Sequence, residues 1–168
     1  MRLASFLLCI LLTTPAFAGV SDYASHRAVY EMKMSRSTSG SEVIDVRGTM
    51  TYEWQDACDG WTTTQESQMK FYYQDGKTVD LGWKLNSWEA KDGLRYRFFV
   101  VNTTDGKSAS EYKGDAKLDG ADKGGMAQFT SPKSESIKLP AGTLFPTSHT
   151  ITLLNHLKDG DRLLYATV

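Results

Sequence analysis

The stretch Gln68-Met69-Lys70-Phe71-Tyr72-Tyr73-Gln74-Asp75-Gly76-Lys77-Thr78-Val79-Asp80-Leu81-Gly82-Trp83-Lys84-Leu85 decides the fold. Before Asp75-Gly76, Met69, Phe71 and Tyr73 alternate with Gln68, Lys70 and Tyr72. After it, Val79, Leu81, Trp83 and Leu85 alternate with Asp80 and Lys84. Side chains along a strand point to opposite faces in turn, so each run predicts a strand with one apolar face. Asp-Gly between two such runs suits a hairpin turn of type I′, whose central residues both need positive φ.

The same pattern extends outward in both directions. Ala28, Tyr30, Met32 and Met34 share one face, with Val29, Glu31 and Lys33 on the other. Ile44, Val46, Met50, Tyr52 and Trp54 oppose Asp45, Arg47, Thr51 and Glu53, and Leu94, Tyr96, Phe98 and Val100 follow later. Asp-Gly recurs at Asp59-Gly60, Asp75-Gly76, Asp92-Gly93, Asp105-Gly106 and Asp119-Gly120, spaced 16, 17, 13 and 14 residues apart, with a sixth pair at Asp159-Gly160. About 11–15 residues remain for each strand, long against the usual 5–6. Long sequential strands with one buried face curl to protect their edges. The expected fold is therefore all-β with one short helix, a long antiparallel meander curled into an open spiral or half-barrel.

Between Ser110 and Ser136 the alternation weakens, and Gly114, Gly120, Gly124 and Gly125 predict short strands and exposed loops. The helix comes late. Pro146 with Thr147 or Ser148 starts it, Ile151, Leu154 and Leu157 form its stripe, and Lys158 with Gly160 ends it. Asp159 and Asp161 are expected to shape the turn that follows. Leu163-Leu164-Tyr165-Ala166-Thr167-Val168 reads as one more strand, inside which the chain stops.

At the other end, Arg2, the apolar run Leu3 to Leu12 and Ala16-Phe17-Ala18 read as a cleavable export signal occupying residues 1–18. Residues 19–168 are then a single β domain. No other segment approaches the roughly 20 apolar residues of a membrane-spanning helix, so no transmembrane anchor is expected. The formal charge is −1, and −2 once Arg2 has left with the signal. Such a balance argues against a sequence-independent nucleic-acid binder, which is normally basic. Strands of this length could also cross a bilayer as a barrel, but the helix and the Gly/Asp/Lys-rich stretch after Ser110 count against that reading.

No nucleophile elbow, phosphate loop, zinc spacing or dinucleotide fingerprint occurs, so no catalytic residue, metal or cofactor is expected. His26, His149 and His156 are read as structural, since His149 and His156 lie seven apart rather than at the i, i+4 spacing of a zinc helix. Cys9 leaves with the signal, and Cys58 stands alone between Asp56-Ala57 and Asp59-Gly60. An odd cysteine in an exported chain points to a disulfide partner elsewhere, or to an inert thiol. Catalysis is the weakest option, because neighbouring aspartates raise a thiol pKa. Among the aromatics, Trp54, Trp61, Tyr73, Trp83 and Phe98 are the candidates for lining a concave binding groove, with ordinary core packing as the alternative.

Three segments carry a family resemblance: His26-Arg27-Ala28-Val29-Tyr30-Glu31-Met32, Gly48-Thr49-Met50-Thr51-Tyr52-Glu53-Trp54 and Cys58-Asp59-Gly60-Trp61-Thr62-Thr63. With Leu139-Pro140-Ala141-Gly142-Thr143-Leu144-Phe145-Pro146-Thr147-Ser148-His149, the chain resembles the envelope integrity protein B (EipB) family. The resemblance implies a periplasmic, non-enzymatic protein of Gram-negative bacteria, folded as an antiparallel spiral and supporting cell-envelope integrity. Its partner would be an envelope protein or lipid; the alternative is a lipid or lipoprotein carrier with a half-barrel cavity. Family members are longer and pair the cysteine matching Cys58 with one near their carboxyl end. The chain is therefore expected to be incomplete at its carboxyl end, with Cys58 unpaired or forming a disulfide-linked dimer.

Overall fold

A computed structural model describes residues 23–160 and 163–168; the export signal expected at 1–18, and Asp161, lie outside them. Eight strands follow in order: β1 (His26–Lys33), β2 (Val43–Asp56), β3 (Gly60–Tyr73), β4 (Thr78–Ala90), β5 (Arg95–Thr104), β6 (Lys107–Leu118), β7 (Gly125–Ser131) and β8 (Glu135–Leu139), and then helix α1 (Pro146–Lys158). Each strand pairs antiparallel with the next, and the sheet runs β1 to β8 without closing on itself. The meander is as expected, with β2, β3 and β4 reaching 14, 14 and 13 residues. The open edges are blunted: β8 has five residues, and β1 carries Arg27, Glu31 and Lys33.

All the Asp-Gly pairs lie at turns or element ends, but they use different geometries. Only Asp105 (φ 51°) and Gly106 (φ 75°) both adopt positive φ, as type I′ requires. At Asp75-Gly76 and Asp92-Gly93 only the glycine is left-handed. There the glycine N–H donates to Tyr73 O or Ala90 O, and the aspartate Oδ1 accepts from the amide two residues on. These are type I turns closed by a left-handed glycine. At the first pair Gly60 already belongs to β3, and Cys58 takes the left-handed position at φ 60°, its N–H bonded to Asp56 Oδ1.

Pairing registers carry the within-strand alternation across the whole sheet. One row runs Trp61–Glu89–Tyr96–Ala116–Ala127–Ile137 on neighbouring strands. The next runs His26–Trp54–Thr63–Ser87–Phe98–Gly114–Phe129, and a third runs Ala28–Tyr52–Gln65–Leu85–Val100–Tyr112. Ile44 departs from its expected face. A bulge between Val43 and Asp45 sets Val43 opposite Tyr73 and leaves Ile44 exposed.

The region after Ser110 is more regular than its composition predicts, since β6 continues to Leu118. It also holds a buried cluster of Ala116, Leu118, Ala127 and Phe145, against which Leu94, Tyr96, Phe129 and Leu139 pack. Small residues on β6 and β7 let Phe145 stack on Tyr96 at 5.4 Å. The terminal strand expected at 163–168 does not form. Those residues make a single parallel bridge, Thr143 to Thr167, with Leu144 N–H donating to Thr167 O. Leu163 and Tyr165 lie exposed there, so the segment lacks the paired face that would hold it as a strand.

Candidate functional site

Helix α1 is held to the sheet by a carboxylate. The residue at its N-cap, Phe145, contributes no side-chain cap, and Pro146 occupies the first turn. Glu89 on β4, 1% exposed, supplies the missing acceptors: Oε2 accepts from Thr147 N–H, and Oε1 from Ser148 N–H and Ser148 Oγ–H. Neither Thr147 nor Ser148 acts as the expected cap; both are partners of Glu89. Burying a carboxylate is costly unless several donors meet it, and the unpaired amides of a helix N-terminus do so with a favourable dipole. The far end is tied by Tyr23 Oη–H donating to Asn155 Oδ1 at 2.7 Å. Asp159 caps the carboxyl end, followed by Gly160 at φ 88°.

Held at both ends, the helix spans a cavity of about 570 Å3. Its walls are Tyr52 and Trp54 of β2, with Tyr23 and His26 beside them. Leu85 of β4 and Ile151 and Leu154 of α1 complete the apolar lining. Thr63, Gln65 and Ser87 lie on the floor. The reason for the hollow is in the cross-strand row: between Trp54 on β2 and Phe98 on β5 stand only Thr63 and Ser87. Two small side chains between two large ones leave a trough, and α1 roofs it.

The wall is rigid. Trp54 stacks on Trp61 at 4.3 Å, Tyr23 meets Trp54 edge-on at 6.4 Å, and His26 lies 6.0 Å from Trp54. Behind it, Lys91 Nζ sits 3.9 Å from the Trp61 ring centre and pairs with Asp56. Lys91 and the Cys58 amide hold the Asp56 carboxyl below its ordinary value, against a smaller opposing effect of desolvation. Burial pushes the Tyr52 phenol up, offset in part by its hydrogen bond to Thr63. Tyr96 is raised in the same way by burial. The lining is apolar on its walls, with a few polar groups, Thr63, Gln65 and Ser87, on its floor. Among the described residues no group of three or more His, Cys, Asp or Glu is placed to hold a metal ion.

The five aromatic candidates separate into four places. Trp54 lines the cavity, while Trp61, 3% exposed, packs behind it in the core. Trp83 and Phe98 line a shallower hollow with Leu85, Tyr96, Val100 and Phe129. Tyr73 lies apart at the β3–β4 turn, beside Glu42 and Val79. The roles of Tyr23, Gln65, Leu85 and Glu89 were not evident from the sequence. Leu85 shares the alternating face of Trp83, and the stripe of α1 announces Ile151 and Leu154. Nothing local marks Glu89 as a cap for a helix 57 residues away in sequence. Cys58 is exposed and free.

With this geometry in place, the relatives can be compared. A beta-barrel-like protein of a domain of unknown function from Brucella abortus, solved by crystallography, superposes with a TM-score of 0.77 at 27% identity, covering 83% of this chain and 58% of that one. The Cell envelope integrity protein EipB of Brucella abortus (strain 2308) is 29% identical over 161 residues, which span 90% of this chain and 56% of that protein. The chain thus spans just over half the length of the curated relative it matches. The family model described as EipB-like matches residues 17–168, and the chain belongs to that family.

Proposed function

We propose that this protein is exported to the periplasm and supports cell-envelope integrity without catalysis, by binding a segment of a partner protein or an envelope lipid. The Brucella abortus relative is named for envelope integrity, and the residues at 1–18 have the make-up of an export signal. The observation that carries the binding role is the 570 Å3 cavity between α1 and the sheet, apolar on its walls and open at its margins. An acyl chain or an apolar peptide segment suits its width and lining.

Titration with palmitate, read by tryptophan fluorescence, tests this directly. Saturable binding is expected, and Leu154→Glu, which places a charge on the partly exposed roof, abolishes it. Absence of saturable binding, or binding indifferent to Leu154→Glu, sinks the reading. The same cavity favours a second role as a lipid or lipoprotein carrier. A carrier moves labelled lipid between donor and acceptor vesicles at a rate set by protein concentration; a static binder does not.

Cys58 bears on the compartment. It sits at a left-handed turn with its thiol exposed, so in an oxidising space it pairs with another cysteine, in a longer partner or in a second copy of this chain. Isolated under reducing conditions, this chain labels rapidly with maleimide. After oxidation it runs as a dimer on a non-reducing gel, which Cys58→Ser prevents.

A further inference from the structure

The outer face of the sheet, away from the cavity, divides by charge. On β1–β4 four of the five cations, all but Arg27, are matched: Lys33 pairs with Glu31 at 3.3 Å, Arg47 with Asp45 at 2.7 Å, Lys70 with Asp80 at 3.0 Å and Lys84 with Glu66 at 3.8 Å. On β5–β8 they are not. Register places Arg95, Lys117, Met126 and Lys138 in one row across four strands, Arg97, Asp115 and Gln128 in the next, and Phe99 beside Lys113 in a third.

All five cations are exposed, and none makes an ion pair among the described residues. Asp115 is the one carboxylate in those rows. Arg95 and Arg97 each lie 5.5 Å from the ring centre of Trp88 on β4, while Met126 and Phe99 are 42% and 36% exposed between the cations. Four strands set about 4.8 Å apart make this face some 15 Å wide.

We propose that the outer face of β5–β8 docks onto the surface of an anionic lipid bilayer. Charge complementarity supplies the first half of the case. Five cations gathered with one carboxylate in these rows repel one another, and a sheet of lipid phosphates would offset that repulsion. The apolar residues supply the second. Trp88, Phe99 and Met126 interleaved with Lys and Arg form the mixture that settles at a headgroup boundary, cations on phosphate and apolar groups just below. The whole chain has a formal charge of −1, so attraction to an anionic surface has to come from a local patch, and these rows supply one. Docked this way, the cavity under α1 faces away from the lipid. The inference is thus independent of what the cavity holds.

Co-sedimentation with phosphatidylcholine vesicles, with and without phosphatidylglycerol, tests it. Residues 19–168 are used, because the apolar run at 3–12 would itself partition into lipid. The protein is expected on the anionic vesicles only, and at low rather than high salt, since surface charges are screened over about 10 Å at 0.1 M. Each cation near such a surface contributes about 1 kcal/mol, or about fivefold in affinity, so Arg95→Gln/Arg97→Gln/Lys117→Gln weakens binding on the order of 100-fold. Lys33→Gln/Lys70→Gln/Lys84→Gln removes the same charge from matched positions and leaves binding within a few-fold of the parent. Should the first triple variant unfold, the exposed single changes Lys117→Gln and Lys138→Gln each give about a fivefold loss. Equal binding to neutral vesicles, equal losses from both triple variants, no binding at low salt, or capture of an acidic protein in place of the vesicles would overturn the proposal.

Discussion

The two halves of the sheet's inner face solve the same problem in opposite ways. On β1–β4 large side chains such as Tyr52 and Trp54 wall a cavity; on β5–β8 small ones, Ala116 and Ala127 among them, belong to a packed cluster around Phe145. Size along a single strand does not decide the outcome. What decides it is the order of sizes across strands. Trp54–Thr63–Ser87–Phe98 sets two small residues between two large ones and makes a trough. Phe98–Gly114–Phe129 sets one small residue between two rings, which then meet edge-on at 5.4 Å. Phe145 plugs the remaining space, stacked on Tyr96.

The sharpest way to break this comparison is at the tryptophans. Trp61 is core and Trp83 lines an open hollow, although they have the same chemistry and the same face. Trp61→Ala is expected to cost about 3–5 kcal/mol, the range for emptying a buried aromatic site. Trp83→Ala, at a side chain only partly buried, is expected to cost less. Urea denaturation of both measures the difference. Equal losses would mean that the hollow closes in solution.

Next in size is the link between the halves. Glu89 stands between Trp61 and Tyr96 in its row and holds the roof of the hollow half through the start of α1. Glu89→Ala strands the buried Thr147 amide and the half-buried Ser148 amide and is expected to cost about 2–3 kcal/mol. The loss is local first: hydrogen exchange at Thr147 and Ser148 accelerates before that of β3. If exchange rises equally in both, α1 is not a separately held element.

A third change attacks the trough itself. Thr63→Leu fills the floor between Trp54 and Phe98 at the cost of one hydrogen bond to Tyr52, so stability shifts by no more than about 1 kcal/mol. Palmitate binding is nevertheless expected to disappear. Persistence of binding would place the ligand elsewhere, with the hollow of Trp83 and Phe98 as the first alternative.

These tests also mark where the sequence was legible. Alternation within strands is written locally, so the meander and its apolar face could be read from Met69, Phe71, Val79 and Leu81 alone. Which residues become neighbours across strands depends on register, and register depends on turn geometry. The Asp-Gly pairs announce that a turn exists without distinguishing the type I′ turn at Asp105-Gly106 from the one-glycine turns at Gly76 and Gly93. Nor does any local signal reveal the bulge at Ile44. For this reason Trp54, Trp61, Tyr73, Trp83 and Phe98 looked like one aromatic wall and are four separate environments. Glu89 was illegible for a related reason, since its partners lie 58 and 59 residues away and its role exists only once the sheet has formed.

The smallest effect lies at the rim, where the wall of the hollow half meets the turn that carries Cys58. Asp56 accepts from Lys91 and from the Cys58 amide, and its carboxyl is held below the ordinary value, first by Lys91. A group with a depressed folded-state pKa adds stability that is present above its unfolded pKa and lost as pH falls through the folded one. The contribution of Asp56 is therefore complete at neutral pH, fades as pH falls through the ordinary carboxylate range, and is gone once the depressed carboxyl is protonated. Solvent screening keeps it small, because both partners are exposed. Comparing melting temperatures of the parent and Asp56→Asn across acid pH isolates it: a gap that is constant near neutrality and narrows only in acid is expected. A gap independent of pH would assign the role of Asp56 to turn geometry, leaving Lys91 to steady the Trp61 ring alone.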